Sequence, residues 1–320
     1  MYNIGIDLGG TNIAAAIVAE DGTIIRKGST PTMNERQQEA IIKDMAMLAI
    51  KLVEDEAGIS MDDIHSIGVG SPGTPDPVNG MIVYANNLNF HNTPIRDEMQ
   101  KYINKPIFVG NDANVAALGE YECGSGSSYN DLVAITLGTG VGSGVIINGT
   151  IIDGSFYGGA ELGHVSINFN GIVCTCGRKG CWEQYSSASA LIRDAKEAAK
   201  NNPESKLNEL VHGDLTKMNA KIPFDAAQAG DKTAQEVISQ YIKHLAVGLV
   251  NVINIFQPEV IVLGGGVSAQ GDNLIQPLHK EIINEIYGGE KAFKTKIQVA
   301  ELGNDAGIIG AAMLYKAYEK

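Results

Sequence analysis

Between Glu161 and Glu183 the chain reads Glu-Leu-Gly-His, a short polar run, and then Cys-Thr-Cys-Gly-Arg-Lys-Gly-Cys-Trp-Glu. Cys174, Cys176 and Cys181 are three of the four cysteines in the protein, and His164 lies just upstream. Three thiolates and one imidazole are the ligand set of a closed, tetrahedral structural zinc site with no position left for water. Gly177 and Gly180 let the backbone turn between ligands where a Cβ would clash. The competing reading is a disulfide with a spare thiol, but Cys174 and Cys176 are too close to pair comfortably and no export signal is apparent. Glu161 and Glu183 bracket the cluster, so a metal knot would hold two acceptors beside one another, which suits a polyhydroxyl ligand.

Two other stretches carry chemistry in their spacing. Asp7-Leu8-Gly9-Gly10-Thr11-Asn12 joins two strand-like segments. A glycine turn of this kind brings backbone N–H groups and a hydroxyl up to a phosphate, although a plain hairpin turn has the same composition. Gly110-Asn111-Asp112-Ala113-Asn114 falls at a strand-to-helix corner, where the ordinary role of an aspartate is to cap free N–H groups and suit the helix dipole. The loop Gly70 to Asp76 and the amides Asn86, Asn87 and Asn89 collect hydroxyl-binding groups near this corner. A second copy, Gly303-Asn304-Asp305-Ala306-Gly307, collects glycines instead.

The elements that must position these groups follow from periodicity. Tyr2 to Leu8, Ile13 to Val18 and a short segment at Ile24-Ile25 read as strands. Glu35 to Ala57 reads as a helix with Ile41, Met45, Leu48 and Leu52 on one face, closed by Gly58. Ile64 to Val69 is a strand running into a rigid loop, Gly70 to Pro77, that cannot be a helix or a central strand. Pro106 to Val109 is a strand and Val115 to Tyr121 a helix. The second half repeats the order: strand Asp131 to Leu137, glycine turn Gly138 to Gly144, strands Val145 to Ile147 and Thr150 to Ile152, helices Ala188 to Lys200 and Thr233 to Phe256, strand Val260 to Leu263 and loop Gly264 to Ser268. The fold class is therefore α/β, a duplicated domain with a mixed sheet covered on both faces, the two copies leaving a cleft.

Composition agrees with two domains, since 320 residues exceed what one core holds. A net charge of -13 excludes a surface built for nucleic acid or anionic membrane. The longest uncharged run, Leu245 to Pro258, is too short to span a bilayer and reads as a buried helix. Met1-Tyr2-Asn3 leads directly into a strand without a leader, so a cytoplasmic setting with reduced thiols is expected.

Taken together, Asp7-Leu8-Gly9-Gly10-Thr11, Gly68-Val69-Gly70-Ser71-Pro72-Gly73, Asn111-Asp112-Ala113-Asn114, Leu137-Gly138-Thr139-Gly140-Val141-Gly142, Glu161-Leu162-Gly163-His164 and the Cys-x-Cys-Gly-x-x-Gly-Cys-Trp-Glu knot resemble the ROK family of sugar kinases and sugar-responsive repressors, over essentially the whole chain. Within it the Cys-Trp-Glu-Gln-Tyr ending is most similar to bacterial ATP-dependent glucokinases. The resemblance implies an actin-like, ribonuclease-H-like ATPase fold. Its small domain would comprise residues 1–118 plus a C-terminal helix at about 305–320, crossing back, and its large domain 119–304 with the zinc-binding insertion.

The chemistry implied is phosphoryl transfer from ATP to the 6-hydroxyl of a hexose, most simply glucose, with Mg2+ and structural zinc present. Asp112 would be the general base. Gly73, Asn87, Asn111, Glu161, His164 and Glu183 would hold the sugar, His164 giving one ring nitrogen to zinc and the other to a hydroxyl. Gly9, Gly10, Thr11 and Asn12 with Gly138, Thr139 and Gly140 would cradle phosphates, Gly265 and Gly266 would lie against the adenosine, and Asp7 would support the magnesium through water. Many relatives carry lysine after Gly-Gly-Thr; this chain has Asn12 and no basic residue nearby, which leaves the phosphate charge to magnesium and N–H groups. N-acetylmannosamine, N-acetylglucosamine or fructose are the alternative sugars. A sugar-sensing repressor is the reading from another class, and it expects a helix-turn-helix segment ahead of the first Gly-Gly turn. The resemblance further implies a homodimer.

Overall fold

The computed structural model describes residues 1–319. They divide into two compact units, one formed by Met1–Ala134, Gly144–Ala160 and the stretch from Glu301, the other by Ile135–Ser143 and Glu161–Ala300. Compared with a boundary at residue 118, residues 119–134 and 144–160 also cluster with the first unit.

The first unit opens with a meander, β1 (Tyr2–Leu8), β2 (Asn12–Ala19) and β3 (Ile24–Pro31), followed by β4 (Ile64–Ser71), a small set β5 (Thr74–Asp76), β6 (Met81–Ala85) and β7 (Phe90–Thr93), and β8 (Ile107–Asn111). The main sheet runs β3-β2-β1-β4-β8. Its hairpins are antiparallel, while β4 pairs parallel with β1 and with β8 because longer crossovers precede each. The crossover helix Gln38–Glu54 buries Ile41, Ile42, Met45, Ala46, Ala49, Leu52 and Val53 against the core that includes Ile4, Ile6, Leu8, Ile13 and Ile17. Leu48, expected on the same face, is only partly buried.

Further along the chain are β9 (Leu132–Leu137), β10 (Val141–Ile147), β11 (Thr150–Ile151), β12 (Val260–Gly264) and β13 (Lys296–Val299), in a sheet of order β11-β10-β9-β12-β13. Antiparallel β10–β11 and parallel β12–β13 reproduce the plan of the first sheet, as a duplicated domain requires. The apolar run from Leu245 lies in the helix Lys232–Phe256, with Leu245, Leu249 and Ile253 buried. Among the described residues no helix is long and apolar enough to cross a membrane.

Three local expectations are corrected. The glycine turn extends only from Gly138 to Gly140, and Gly142 and Gly144 lie inside β10. A Cβ on Gly144 would come within 2.4 Å of the Ala117 Cβ, so glycine is there for close packing rather than for a turn. Ile24-Ile25 is the start of an eight-residue strand. The loop expected over Gly70 to Pro77 contains β5, the edge of a three-stranded sheet β5-β6-β7, while Asn86–Leu88 form the turn between β6 and β7. Pro75 is tolerated there because β5 is an edge strand.

The C-terminal helix Ala306–Ala312 belongs to the first unit and packs on β1, β4 and the helix Asp112–Cys123. Backbones touch at this crossing. A Cβ on Gly310 would sit 1.7 Å from the Val115 carbonyl oxygen, and one on Gly5 would sit 1.8 Å from that of Ile308. Gly310→Ala is therefore expected to destabilise the protein by about 1–3 kcal/mol, the usual cost of overpacking, read as a lower urea midpoint. An unchanged midpoint would mean that the helix can withdraw without loss.

Candidate functional site

Within the first unit, β1 and β2 meet in the tight turn Gly9 to Thr11, closed by the Gly9 N–H donating to Asn12 O at 2.9 Å. This leaves the Gly10 and Thr11 N–H groups out of the turn's own bonding. Asp7 sits at the end of β1 with its carboxylate against Gly307, whose Cβ position is 3.1 Å from Oδ2. Burial, and then the neighbouring Asp112 charge, push the Asp7 carboxyl above its ordinary range, and Lys27 opposes them. Lys27 also pairs with Asp305. Asn12 itself pairs with Pro31 of β3, while that strand brings Lys27 within electrostatic reach of Asp7. Nothing local in the sequence could signal this, since the two residues meet only across the sheet.

At the second corner, the helix Asp112–Cys123 begins directly after β8. Its cap is Asn111: Oδ1 accepts from the Ala113 N–H at 2.9 Å and from the Asn114 N–H at 3.2 Å. Asn111 Nδ2 donates to Gly73 O at 3.1 Å. Gly73 has φ of 94° and packs so tightly on Tyr84 and Ala85 that a Cβ would lie 2.1 Å from Tyr84 O. Asp112 is thereby released from the capping role that its position suggests. Its Oδ1 accepts from the adjacent Ala113 N–H, at 2.9 Å, and the Asn111 side chain also hydrogen-bonds its carboxylate. The side chain opens to solvent yet is walled by protein, and the resulting desolvation raises its carboxyl above the ordinary range despite the hydrogen bonds that lower it. Asn87 lies beside Gly10, its carbonyl oxygen 3.7 Å from the Cβ position there. One unit therefore gathers Asp7, the Gly9–Thr11 turn, Gly73, Asn87, Asn111 and Asp112 from four separate parts of the chain.

The second unit holds the other predicted residues. Gly138 N–H donates to Gly140 O at 3.1 Å, and the Ala188 N–H donates to Gly138 O at 2.8 Å, leaving Thr139 exposed at the tip of the turn. Glu183 lies against this turn: Oε2 accepts from the Val141 N–H at 3.1 Å, and a Cβ on Gly140 would come 2.2 Å from it. Gly265, at φ of 82°, crosses over Leu137, and the Gly266 Cβ position is open. Glu161 precedes the short turn Leu162–His164, which is held by Ser143 Oγ accepting from the Leu162 N–H at 3.0 Å. Ser143 was not singled out by sequence; its part depends on a contact nineteen positions away.

The four predicted metal ligands come together. The ligand atoms of His164, Cys174, Cys176 and Cys181 all lie within 4.8 Å of one another. Cys174 Sγ is 3.7 Å from His164 Nδ1, and Cys176 Sγ is 3.6 Å from Cys181 Sγ. A tetrahedral zinc with sulfur bonds of about 2.3 Å has edges of about 3.8 Å, so the donors fit that ion. The knuckle is built by Cys174 N–H donating to Arg178 O and Gly177 N–H donating to Cys174 O, at 2.8 and 2.9 Å. Gly177 and Gly180 both have positive φ, and a Cβ on Gly180 would strike Asn168 O. The Arg178 N–H holds the Cys176 thiol below its ordinary range, whereas burial pushes Cys181 up to about 12. A dication among the sulfurs removes that cost by taking the thiolate form directly. Trp182 anchors the far end, fully buried over Gly248 and donating from Nε1 to His244 O at 3.1 Å.

Comparison with known proteins places this geometry in context. A sequence profile described as the ROK family matches residues 3–318. Glucokinase of Thermotoga maritima is 37% identical over 98% of this chain and 96% of its own length. Glucokinase of Halalkalibacterium halodurans is 37% identical over 99% and 96%. The crystal structure of a ROK family glucokinase from Streptomyces griseus, in complex with glucose and AMPPNP, superposes with a TM-score of 0.82 at 34% identity, covering all of both chains.

Proposed function

The chain belongs to the ROK family, and we propose on that premise that it transfers the terminal phosphoryl group of ATP to the 6-hydroxyl of glucose. Asp112 carries the reading. Its helix is capped by Asn111, so its carboxylate is left as an acceptor beside a glycine turn and a second carboxylate. As the base, Asp112 takes the proton from the hexose hydroxyl while that oxygen attacks the γ-phosphorus and ADP leaves. Within the first unit Gly73, Asn87 and Asn111 offer polar groups suited to sugar hydroxyls, and within the second unit Glu161, His164 and Glu183 offer theirs. The turn at Gly9–Asn12 in the first unit and the turn at Gly138–Gly140 in the second each suit a phosphate, and Gly265 and Gly266 suit an adenosine because glycine lets a ligand approach the backbone.

Magnesium, when bound with ATP, would neutralise charge on the phosphate oxygens, and Asp7 would support it by accepting hydrogen bonds from its water. Zinc, held by His164, Cys174, Cys176 and Cys181, supplies rigidity rather than reactivity. With Nδ1 facing the cluster, His164 keeps Nε2 for a sugar hydroxyl. A homodimer and a cytoplasmic setting complete the reading, the first to be checked by molar mass in solution.

The direct test is a coupled assay of ADP formation with glucose, N-acetylmannosamine, N-acetylglucosamine and fructose. Glucose is expected to give the highest kcat/KM. A preference for an acetamido sugar would move the assignment to another kinase of the family. Sugar binding with no turnover on any of the four would favour a sensor.

A further inference from the structure

Thr32 follows β3 and has no exposed surface. Its N–H donates to Thr11 O at 3.0 Å and its Oγ1–H donates to Gly9 O at 2.6 Å. One buried residue thus holds two of the three carbonyls of the first glycine turn. Across a planar trans peptide the C=O of one residue and the N–H of the next point in opposite directions. Drawing the Gly9 carbonyl onto a buried hydroxyl therefore aims the Gly10 N–H the other way, away from Thr32. Thr32 is itself anchored, because Arg36 donates to its carbonyl at 2.8 Å and to Asp44 Oδ2 at 2.7 Å on the crossover helix. Two residues on, Asn34 Nδ2 donates to Asn87 O at 2.9 Å, so the same segment also braces the amide loop. Glycine turns without such a latch have many accessible backbone conformations.

We propose that Thr32 is a positioning residue for nucleotide phosphate: its hydroxyl sets the Gly9–Gly10 peptide so that the Gly10 N–H is aimed at the anion before it arrives. This rests on the reading of Gly9–Asn12 as a phosphate cradle. Thr32 touches no substrate, so its substitution acts on the nucleotide through the turn alone.

Thr32→Val preserves shape and removes the donor; Thr32→Ser keeps the donor. Steady-state kinetics would be combined with equilibrium binding of AMPPNP and magnesium. Thr32→Val is expected to raise the KM for ATP and the AMPPNP dissociation constant by about tenfold, the usual scale of one hydrogen bond. The KM for glucose should stay within about twofold, and Thr32→Ser should restore nucleotide binding to within about twofold of wild type. If Thr32→Val does not fold, Thr32→Ala provides the same comparison. Unchanged nucleotide affinity in the variant lacking the hydroxyl overturns the proposal, as does a serine variant as weak as the valine one. Wild-type protein that binds glucose but not AMPPNP removes the cradle reading, and this inference with it.

Discussion

Asp112→Asn is expected to lower kcat by about 10²- to 10⁴-fold, the usual contribution of a positioned general base, with glucose and ATP affinity and the fold retained. Asparagine keeps the shape and can still accept the Ala113 N–H, and the helix cap belongs to Asn111, so no structural element depends on the charge. The pH dependence gives a second readout. A base must be unprotonated, and desolvation raises Asp112 above the ordinary aspartate value of about 3.9. Activity should therefore rise with pH through that raised value, placing the acidic limb of kcat/KM above the ordinary carboxylate range. In the asparagine variant this limb should vanish.

Stability should move the other way. An aspartate whose folded pKa exceeds its unfolded one binds its proton more tightly when folded, so stability falls as pH rises through the window between the two values. At neutral pH the asparagine variant should then be at least as stable as wild type, a sign that the charge is kept for chemistry. Near-normal turnover in Asp112→Asn would return this residue to an ordinary place in the first turn of a helix.

Cys176→Ser should abolish stoichiometric zinc binding and loosen the segment from Glu161 to Glu183. Cys176 is the exposed ligand of the four, so serine there opens no cavity and buries no hydroxyl, and whatever is lost reports the metal. Structural zinc contributes folding free energy directly, because its ligands are assembled only in the folded state. For a chain of this size each kcal/mol lost lowers the melting temperature by about 2–4 °C. Zinc measured by atomic absorption, the melting curve and proteolysis within residues 164–183 form the test. Glu183 links the knot to the Gly140 turn through Val141, and Cys174 Sγ lies 3.9 Å from its Oε1, so weakened nucleotide binding should accompany metal loss. Purified wild-type protein without zinc would remove the basis for this expectation.

The sequence was most informative where an interaction is completed among residues close along the chain. The cysteine–histidine cluster is one such case, since three cysteines, a histidine and two glycines already contain the side chains that converge and the turns that connect them. The glycine corners are another, as is the duplication, whose repeated order of elements survives in two sheets of the same plan. Apolar periodicity located the main helices for the same reason: a buried stripe is a property of consecutive turns.

Tertiary structure decided what depends on distant partners. Asn111 rather than Asp112 caps the helix, which only the side-chain geometry reveals, because both residue types favour that position. Lys27 reaches Asp7 and Asp305, and Thr32 latches Gly9, because β3 folds back on the first hairpin. Gly144 is a glycine within a strand because Ala117 packs against it, and the segment around residues 74–93 forms a sheet because each short strand finds a neighbour. In each case the deciding hydrogen bond or van der Waals contact joins groups that chain spacing leaves independent, and only the folded backbone brings them within reach.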